Sequence, residues 1–545
     1  MVSQFAQTER DFIEHPVRER LLSRLLEDRA SQYGNRQFLD FNGVQRISYQ
    51  EFDDAANRFA NGLLALELSK EKKLGLMLPN CPEYLYLLFG AAKIGAVIVP
   101  INTAYKGSLL GHVLNNSGVE LLVVDEQYID TINKIGGTLS GLKTLLIYSA
   151  QGFSRKNILH NWRVLNLDVL YEASTKRPQS NVYHTDTVMI LYTGGTTGPS
   201  KGVVMTHHFY YFYAHLVKNS IGYTEEDVSY TCMPLFHINA QIGSIVSALY
   251  AGAQVALYQR FSARTFWDEI RASGTTVFLG MGAVGNILAK NPPTAADSDN
   301  RVRLAVIVPP PDDLEGFERR FGLRVIYETF GMTEGLIIPP KLYEPRRRGC
   351  CGKPIEDFEV RIVDDDDLPL DPHQTGELVF RPRAPYTMMS GYYKMPDATL
   401  EAFRNLWFHT GDLGYFDGDG FLYYVGRKKD AIRRRGENIS AYEIESVINQ
   451  HPSVLESAAI AVPSELGEDD VKIVAQLKPD AELNHEELIR FCEARMAYFM
   501  IPRYVEFREA LPKNPSQRIE KYKLRAEGIT ELTWDRVKAG IELKR

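Results

Sequence analysis

A short segment rich in glycine and threonine has the composition of a phosphate-binding loop. Residues 192–202 read YTGGTTGPSKG and directly follow the apolar residues VMIL. Glycines let backbone N–H groups approach an anion, threonine hydroxyls add donors, and Lys201 adds a positive charge. The segment is not a Walker A loop, because Ser200, and not a glycine, precedes Lys201. It therefore predicts contact with phosphate and disfavours the kinases and ATPases that use a Walker A loop.

Three further motifs follow in order. They read YETFGMTEG at 327–335, HTGDLG at 409–414 and GRKKDAIRRRGEN at 426–438. Alone, the Gly/Thr segment could equally be a flexible loop. Together with these motifs and with residues 79–102, it resembles the adenylate-forming superfamily, which includes acyl-CoA synthetases, peptide-synthetase adenylation domains and firefly-type luciferases. The resemblance covers nearly the whole chain, and residues 490–514 are most similar to crotonobetaine/carnitine–CoA ligase-like acyl-CoA synthetases.

This resemblance implies an ATP-dependent, AMP-forming acyl-CoA synthetase. In that reaction a carboxylate attacks the α-phosphorus of ATP to give an acyl-adenylate and pyrophosphate, and the thiol of CoA then displaces AMP. Both reactants of the first step are anions, so positive charge, magnesium and fixed donors must offset their repulsion. ATP, Mg²⁺, CoA as co-substrate and a small-molecule carboxylic acid are therefore the expected ligands.

The resemblance also assigns the nucleotide contacts. The Gly/Thr loop would close over the β- and γ-phosphates, Thr333 would contact the α-phosphate, and Phe330 would stack on adenine. Magnesium is expected at Glu334 and Thr196, since it prefers hard oxygen ligands. The expected ATP-binding residues are Thr193, Gly194, Gly195, Thr196, Thr197, Gly198, Lys201, Thr329, Phe330, Gly331, Met332, Thr333, Asp412 and Arg427.

Asp412 and Arg427 match family residues at the ribose. An ionised carboxylate at 412 can accept from both ribose hydroxyls, and Arg427 would reach the ribose or the phosphates. His237, in MPLFHIN at 233–239, corresponds to an aromatic gate at the acid site. Amino-acid-activating relatives have an aspartate there for the substrate ammonium, so a free amino acid is disfavoured.

Two residues are assigned by resemblance to the movement of a C-terminal domain between adenylation and thioester formation. Lys429 occupies the hinge position. Gly436 matches the glycine whose missing side chain leaves room for the pantetheine of CoA.

The clearest departure from the family lies at 514–525, NPSQRIEKYKLR. Where relatives have Gly-Lys with a catalytic lysine, this chain aligns Gln517 and Arg518. Arg518 keeps the charge and is the favoured replacement, although its larger planar head requires a different position. Lys521 or Lys523 could reach in instead, or adenylation could be weak or absent. The expected catalytic residues are Arg518, Lys201, His237 and Glu334.

The elements that must position these residues alternate between strands and helices. Short β-branched runs lie at 97–100, 121–125, 145–148, 188–192, 255–258 and 325–327, separated by segments with helical spacing. The fold class is therefore α/β: a large N-terminal region of α/β layers over residues 1–426, with a β-rich subdomain at about 358–426. A basic run marks the start of a mobile α+β C-terminal domain, residues 427–545. The aromatic residues Phe209–Tyr213, at helical spacing, are interpreted as core.

Composition narrows the classes of partner. The chain has 545 residues and a net charge of −7, which disfavours nucleic acid. Five cysteines without a framework spacing and an N-terminus without a secretory pattern favour the cytoplasm. The most apolar stretch, 84–101, is interrupted by Lys93 and Gly95 and predicts a buried helix and strand, not a membrane span. The sequence leaves the oligomeric state open, a homodimer included.

Two other functions remain open at the level of sequence. One is an acyl-AMP ligase that loads a separate carrier protein. The other is a nucleotide- or acyl-binding sensor that has lost catalysis, for which the change at Arg518 is the only support.

Overall fold

The computed structural model describes residues 15–149, 158–193, 200–311, 313–343, 345–428, 431–434, 437–464, 469–493, 495–496, 500–514 and 517–543. The strands are β1 (Gln37–Phe41), β2 (Gln45–Ser48), β3 (Lys73–Met77), β4 (Val97–Pro100), β5 (Leu121–Asp125), β6 (Thr144–Tyr148), β7 (Arg163–Asn166), β8 (Thr187–Thr193), β9 (Lys201–Thr206), β10 (Val228–Thr231), β11 (Gln254–Leu257), β12 (Val277–Met281), β13 (Leu304–Val308), β14 (Arg324–Ile326), β15 (Phe330–Met332), β16 (Gly335–Ile338), β17 (Cys350–Gly352), β18 (Phe358–Val363), β19 (Gly376–Pro382), β20 (Phe408–Phe416), β21 (Leu422–Arg427), β22 (Ala431–Arg434), β23 (Glu437–Ser440), β24 (Val454–Pro463), β25 (Asp469–Leu477), β26 (Tyr504–Arg508) and β27 (Trp534–Asp535). The α-helices are α1 (Leu22–Tyr33), α2 (Tyr49–Ala65), α3 (Pro82–Ile94), α4 (Gly107–Ser117), α5 (Ile129–Ile135), α6 (His207–Ile221), α7 (Ser247–Ala251), α8 (Phe266–Ser273), α9 (Gly282–Lys290), α10 (Leu314–Phe321), α11 (Pro396–Ala402), α12 (Ala441–Ile448), α13 (His485–Glu493) and α14 (Lys521–Glu527).

Two seven-stranded sheets form the large N-terminal region. One has the order β7-β6-β5-β3-β4-β8-β9 and the other β14-β13-β12-β10-β11-β1-β2. All pairs are parallel except β8 with β9 and β1 with β2. The six strands predicted from β-branched runs all form, each within one residue of its expected bounds. The predicted α/β layers are confirmed.

The core lies against these sheets. Helix α3 is buried on almost every side because its residues are apolar all round. Pro82 lies in its first turn, and Gly95 ends it in the left-handed conformation, with φ of 71°. Within the described ranges, no helix has both the length and the apolar character to cross a membrane. The interpretation of 84–101 as a buried helix followed by a strand is confirmed.

Helix α6 connects the core to the loop at 192–202. Thr206 caps its N-terminus by accepting a hydrogen bond from the Phe209 N–H at 3.1 Å. The next three side chains, Tyr210, Tyr211 and Phe212, are buried with Phe209, as predicted for core aromatics, whereas Tyr213 keeps partial access.

The β-rich part is one antiparallel sheet with the order β17-β21-β20-β19-β18. This sheet also includes β17, which lies before the β-rich subdomain predicted at about 358–426. The C-terminal part has its own sheet, β24-β25-β26-β27, together with the helices α12 and α13. The domain boundary at 426/427 stays a prediction; it falls inside β21, whose last residue is Arg427.

The first elements of the chain were not identified from sequence. The β1–β2 hairpin completes one of the seven-stranded sheets. Helix α2 packs on this hairpin, and α1 packs on α2. A local signal was available: Ser48 and Glu51 form a capping box at the start of α2, in which each side chain accepts from the other residue's backbone N–H.

A buried ion pair ties the C-terminal sheet together. Lys472 on β25 donates to Glu506 on β26, with Nζ and Oε2 2.6 Å apart and both side chains fully buried. Thr530 and Thr533 also donate to Oε2, and Arg508 donates to Oε1. Burial alone would raise the pKa of Glu506, but hydrogen bonds from Lys472 and both threonines lower it to about 2.

We expect Glu506→Ala to lower the free energy of opening of the C-terminal sheet by about 3–5 kcal/mol, because Lys472 would stay buried without its counter-charge. In the unchanged protein the pair also makes the free energy of opening of this sheet depend on pH. Since the pKa of Glu506 is depressed on folding, its contribution is complete above the ordinary value of 4.5 and is lost as the pH falls towards 2. Amide hydrogen exchange at β25 and β26 measures both effects.

Glu120→Ala is the control, because Glu120 pairs with Lys143 on the surface, with the lysine 73% exposed. Such a pair contributes about 0–1 kcal/mol. An equal loss of the free energy of opening in both variants would show that the buried pair contributes no more to stability than the surface pair.

Candidate active site

The phosphate-loop candidate joins two antiparallel strands. Thr193 ends β8, Lys201 begins β9, and their Cα atoms are cross-strand partners. The Thr193 hydroxyl donates to the Lys201 carbonyl at 3.4 Å. The predicted loop residues Gly194, Gly195, Thr196, Thr197 and Gly198 lie outside the described residues. The hairpin fixes where that loop leaves and rejoins the sheet.

Glu334 occupies the tight turn of a second hairpin. Met332 of β15 pairs with Gly335 of β16, so Thr333 and Glu334 form a two-residue connection. The Glu334 side chain is buried, and burial raises its pKa, although the Tyr392 hydrogen bond and the charges of Arg427 and Lys201 oppose that shift. The hairpin thus holds a carboxylate in a desolvated place close to positive charge.

Tyr392, which the sequence motifs did not single out, connects Glu334 with Lys201. Its hydroxyl donates to Glu334 Oε1 at 2.9 Å, and the Lys201 Nζ lies 4.7 Å from the centre of its ring. The segment around Tyr392 pairs with β9: the Val204 N–H donates to the Gly391 carbonyl, and the Tyr393 N–H donates to the Gly202 carbonyl. Tyr392 therefore reaches the site through strand pairing across almost 200 residues of chain.

The adenine candidate lies at the start of the same hairpin. The partly buried Phe330 ring lies 6.2 Å from that of Tyr424, tilted by 37°. Gly331 is exposed, and Met332 and Thr333 are partly accessible. The Thr329 hydroxyl donates to the Ile338 carbonyl at 2.7 Å, so this side chain stabilises the hairpin.

Asp412 and Arg427 are cross-strand neighbours on β20 and β21. Their charged atoms Oδ1 and Nε lie 2.9 Å apart, and Asp412 is almost fully buried. The Thr410 hydroxyl accepts from the Asp412 N–H at 3.0 Å. The sheet register therefore places a carboxylate and a guanidinium side by side; their role at the ribose stays a prediction.

Arg518 approaches this place from the C-terminal part. Residue 518 is exposed, yet surrounding protein atoms lower the pKa of its guanidinium, and repulsion from Arg427 lowers it further. Tyr424 and Asp412 act in the opposite direction. Its own loop holds it, since the Arg518 N–H donates to Asn514 Oδ1 at 2.9 Å.

His237 faces the same cation. Burial, followed by the charge of Arg518, lowers the pKa of His237 to about 4, so its imidazole is neutral near pH 7. The other two candidate cations are engaged elsewhere: Lys521 pairs with Glu445 at 2.7 Å, and Lys523 pairs with Glu520. Among the three, Arg518 is the one whose charge acts on both His237 and Asp412.

The C-terminal part also meets the β-rich sheet beside Arg427. A cavity of about 560 Å³ lies there, lined by residues of both parts, among them Tyr424, Lys428, Tyr442 and Glu445. Lys428 pairs with Glu377 at 3.1 Å. Lys429, the predicted hinge, and Gly436, which is predicted to leave room for pantetheine, lie outside the described residues.

The donor set fits a magnesium ion shared with phosphate. Glu334 Oε1 accepts a hydrogen bond from the Tyr392 hydroxyl at 2.9 Å, which orients the buried carboxylate. The described part of the chain contains no group of three or more His, Cys, Asp or Glu side chains that could hold a metal by itself. Magnesium usually takes one or two protein carboxylates, water and substrate phosphates, so one oriented carboxylate is compatible with it.

The ring of Phe330, the buried Asp412 and the nearby cations form a set that suits an enzyme acting on a nucleotide. Residues 26–393 match the family described as AMP-binding enzyme, and residues 443–518 match the AMP-binding enzyme C-terminal domain. The chain belongs to this AMP-binding enzyme family.

Named relatives cover nearly the whole chain. The crotonobetaine/carnitine–CoA ligase of Salmonella typhi is 32% identical over 520 residues, covering 92% of this chain and 98% of the relative. A crystal structure of an anthranilate CoA ligase in complex with anthranoyl-AMP is 25% identical with a TM-score of 0.84, over 94% of this chain and 98% of that one. An o-succinylbenzoate CoA synthetase from Bacillus subtilis in complex with AMP is 26% identical with a TM-score of 0.79, over 93% and 99%.

We expect Tyr392→Phe to weaken binding of Mg·ATP roughly tenfold, since a hydrogen bond to a charged group contributes about 1.5–3 kcal/mol and Glu334 would lose its orienting donor. Calorimetry with a non-hydrolysable ATP analogue and magnesium measures the dissociation constant. Tyr393→Phe is the control, because the neighbouring ring contacts Lys73 instead of the Glu334 carboxylate. An unchanged dissociation constant for Tyr392→Phe would remove Tyr392 from the site.

Proposed function

We propose that this crevice carries out ATP-dependent, AMP-forming synthesis of acyl-CoA from a carboxylic acid. Membership of the AMP-binding enzyme family and relatives named as CoA ligases support this reaction. The observation that carries it is the position of Arg518. Its charge acts on His237, at the expected acid site, and on Asp412 and Arg427, at the expected ribose site.

In the first half-reaction, Lys201 and the adjoining loop hold the β- and γ-phosphates. Phe330 and Tyr424 flank the adenine, and Asp412 accepts hydrogen bonds from the ribose hydroxyls. Arg518 binds the substrate carboxylate and the α-phosphate together, which offsets their repulsion and aligns them. A carboxylate oxygen attacks the α-phosphorus, and pyrophosphate leaves with the bonding electron pair.

Magnesium would be held by Glu334 with Thr196 nearby, and it supplies charge that neutralises the leaving pyrophosphate. The protein's own part is to keep the Glu334 carboxylate oriented. The Tyr392 hydrogen bond and the nearby Lys201 both favour its ionised form.

His237 would border the acid as an uncharged ring. Its low pKa follows from burial and from Arg518, so it adds no positive charge that would compete for the carboxylate. The acid is thereby oriented by Arg518.

The second half-reaction uses a different pose of the C-terminal domain, residues 427–545, turned about Lys429. The CoA sulfur then attacks the acyl carbonyl, and AMP leaves. The room that Gly436 provides would admit pantetheine. The effect of the Arg518 charge on His237 and Asp412 supports the adenylation pose for this structure.

The cytoplasm is the proposed compartment. All five cysteines are free, and four are buried, which is ordinary for a reducing environment. A homodimer stays a prediction, which light scattering in solution would decide.

We expect Arg518→Ala to lower the rate of acyl-adenylate formation by at least a hundredfold, because no other cation replaces the guanidinium between the two anions. Thioester formation from supplied acyl-adenylate should remain nearly unchanged. Pyrophosphate release and acyl-CoA mass measure the two half-reactions separately. Lys523→Ala, which removes a cation paired with Glu520, should leave both rates near the starting value.

If Arg518→Ala folds normally but loses both half-reactions, or keeps both, Arg518 does not act in acyl-adenylate formation alone, and the assignment is wrong. Acyl-CoA mass also separates the CoA ligase from a ligase that loads a carrier protein. Absence of pyrophosphate release with every acid would favour the sensor.

We expect Gly436→Leu to stall after adenylation, since a bulky side chain would close the path of pantetheine. Acyl-adenylate should accumulate in the presence of CoA, with acyl-CoA formation reduced at least tenfold. Quenched-flow analysis with mass detection follows both species. Unimpaired CoA turnover would show that residue 436 does not border the path.

A further inference from the structure

A buried asparagine connects the two seven-stranded sheets at their carboxyl ends. Asn80 follows β3 of one sheet, and its Nδ2 donates to the carbonyls of Met233 and Tyr258, both at 3.0 Å. These two carbonyls follow β10 and β11, which are neighbours in the other sheet. Asn80 Oδ1 accepts from the Leu235 N–H at 2.9 Å. Parallel α/β sheets bind ligands beyond this end of their strands, so Asn80 lies at the level where a site is expected.

A second buried amide, that of Gln241, binds the same segment. Its Nε2 donates to the Leu235 carbonyl and, at 3.3 Å, to the Tyr84 hydroxyl. Its Oε1 accepts from the Tyr210 hydroxyl at 2.7 Å, and Gln241 and both tyrosines are fully buried. An amide has two N–H donors, and both are in use here. Leu235 thus has its N–H bonded to one amide and its carbonyl bonded to the other.

Gln241 belongs to a π-helix, Asn239–Val246, in which every residue after Asn239 is buried. The i→i+5 pattern is visible at its end, where the Ser247 N–H donates to the Ile242 carbonyl. Such turns are rare in proteins and occur frequently at functional sites. This one begins two residues after His237, the residue expected at the acid site.

His237 lies between the two amide contacts and the π-helix. Its N–H donates to the Pro234 carbonyl at 3.1 Å, and its carbonyl accepts from the Gln241 N–H at 3.2 Å. Residues 232–237 belong to neither a helix nor a strand. Buried backbone groups need partners, and at Met233 and Leu235 side-chain amides supply them where a sheet does not. The place of the His237 backbone therefore depends on Asn80 and Gln241.

We propose that Asn80 and Gln241 are positioning residues for the acid site. Their amides hold the backbone of residues 233–237 against both sheets, and that backbone sets where the His237 ring meets the acid. Neither amide takes part in the chemical step, because each acts through the His237 segment. The inference rests on the proposed function for the assignment of His237 to the acid site.

Titration of His237 tests the positioning without turnover. Burial, followed by the charge of Arg518, holds the pKa of His237 at about 4. Gln241→Met keeps a side chain of similar length but removes its donors and its acceptor. The segment should then loosen, so that the ring gains solvent and its pKa rises towards the ordinary value of 6.5.

NMR of the protein with isotope-labelled histidine measures this titration. The loss of one signal in His237→Gln identifies the His237 ring. Between about pH 5 and 8, that signal should stay nearly constant in the unchanged protein and should titrate in Gln241→Met.

The KM of the acid tests the link to the acid site. We expect Gln241→Met to raise this KM about fivefold to tenfold, the size of one hydrogen bond, because a displaced ring no longer borders the acid correctly. The dissociation constant of a non-hydrolysable ATP analogue, measured by calorimetry, should stay unchanged. Asn80→Leu should act in the same direction. Tyr210→Phe removes only the donor to Gln241 Oε1, should give a smaller change of the same sign, and keeps the test decisive if the larger changes prevent folding.

Tyr49→Phe is the matched control. The Tyr49 hydroxyl donates to the Ala253 carbonyl at 2.6 Å, also in a buried place, but at the amino end of β11, opposite the end that Asn80 contacts. This variant should unfold at a lower temperature, since it loses a buried hydrogen bond. The His237 titration and the KM of the acid should not change.

If Gln241→Met and Tyr210→Phe both leave the His237 titration as it is in Tyr49→Phe, the inference is wrong. A raised pKa of His237 with an unchanged KM would support the positioning of the ring and overturn its assignment to the acid site. Absence of pyrophosphate release with every acid would count against the proposed function alone, because the titration still decides whether the amides position His237.

Discussion

Electrostatic repulsion between a carboxylate and a triphosphate is the constraint on which the rest of this structure depends. At about 4 Å, two like charges repel by about 4 kcal/mol in the partly shielded environment of a protein surface. Cations from separate elements offset this repulsion. They are Lys201 at the start of β9, Arg427 at the end of β21, and Arg518 on the loop that follows β26. Two buried carboxylates, Glu334 and Asp412, offset part of the repulsion among these cations.

Backbone pairing, and not side-chain flexibility, fixes where these charges lie. Asp412 and Arg427 are set opposite each other by the register of β20 and β21, and Glu334 by a two-residue hairpin turn. Each position is therefore as rigid as the sheet that carries it, which reduces the entropy lost when the ligands bind. Arg518 is the exception, since its loop belongs to the C-terminal part and is held by Asn514.

The sequence predicts much of this arrangement because many signals are local. Buried parallel strands need β-branched runs, and so β4 and β5 are found within their expected bounds. Tyr392 and Tyr424 were missed, because neither lies in one of the motifs. Tyr392 reaches the site through pairing of its segment with the distant β9, and Tyr424 through the hairpin of β20 and β21. The three cations between 518 and 523 could not be separated by sequence. Only the ion pairs of Lys521 and Lys523 with carboxylates distinguish them from Arg518.

The Asp412–Arg427 pair shows how a site for charged ligands can be stable before they arrive. A buried carboxylate without a partner would cost several kcal/mol, and Arg427 supplies that partner at 2.9 Å. In the proposed function, ribose hydroxyls would donate to Asp412, and one set of hydrogen bonds would replace another at a small net cost. The Arg427 guanidinium would then be available to contact phosphate. Because Arg427 is also the last residue of β21, this exchange takes place at the point where the chain enters its C-terminal part. In the proposed function, nucleotide binding would therefore act on the residue that leads into the C-terminal part.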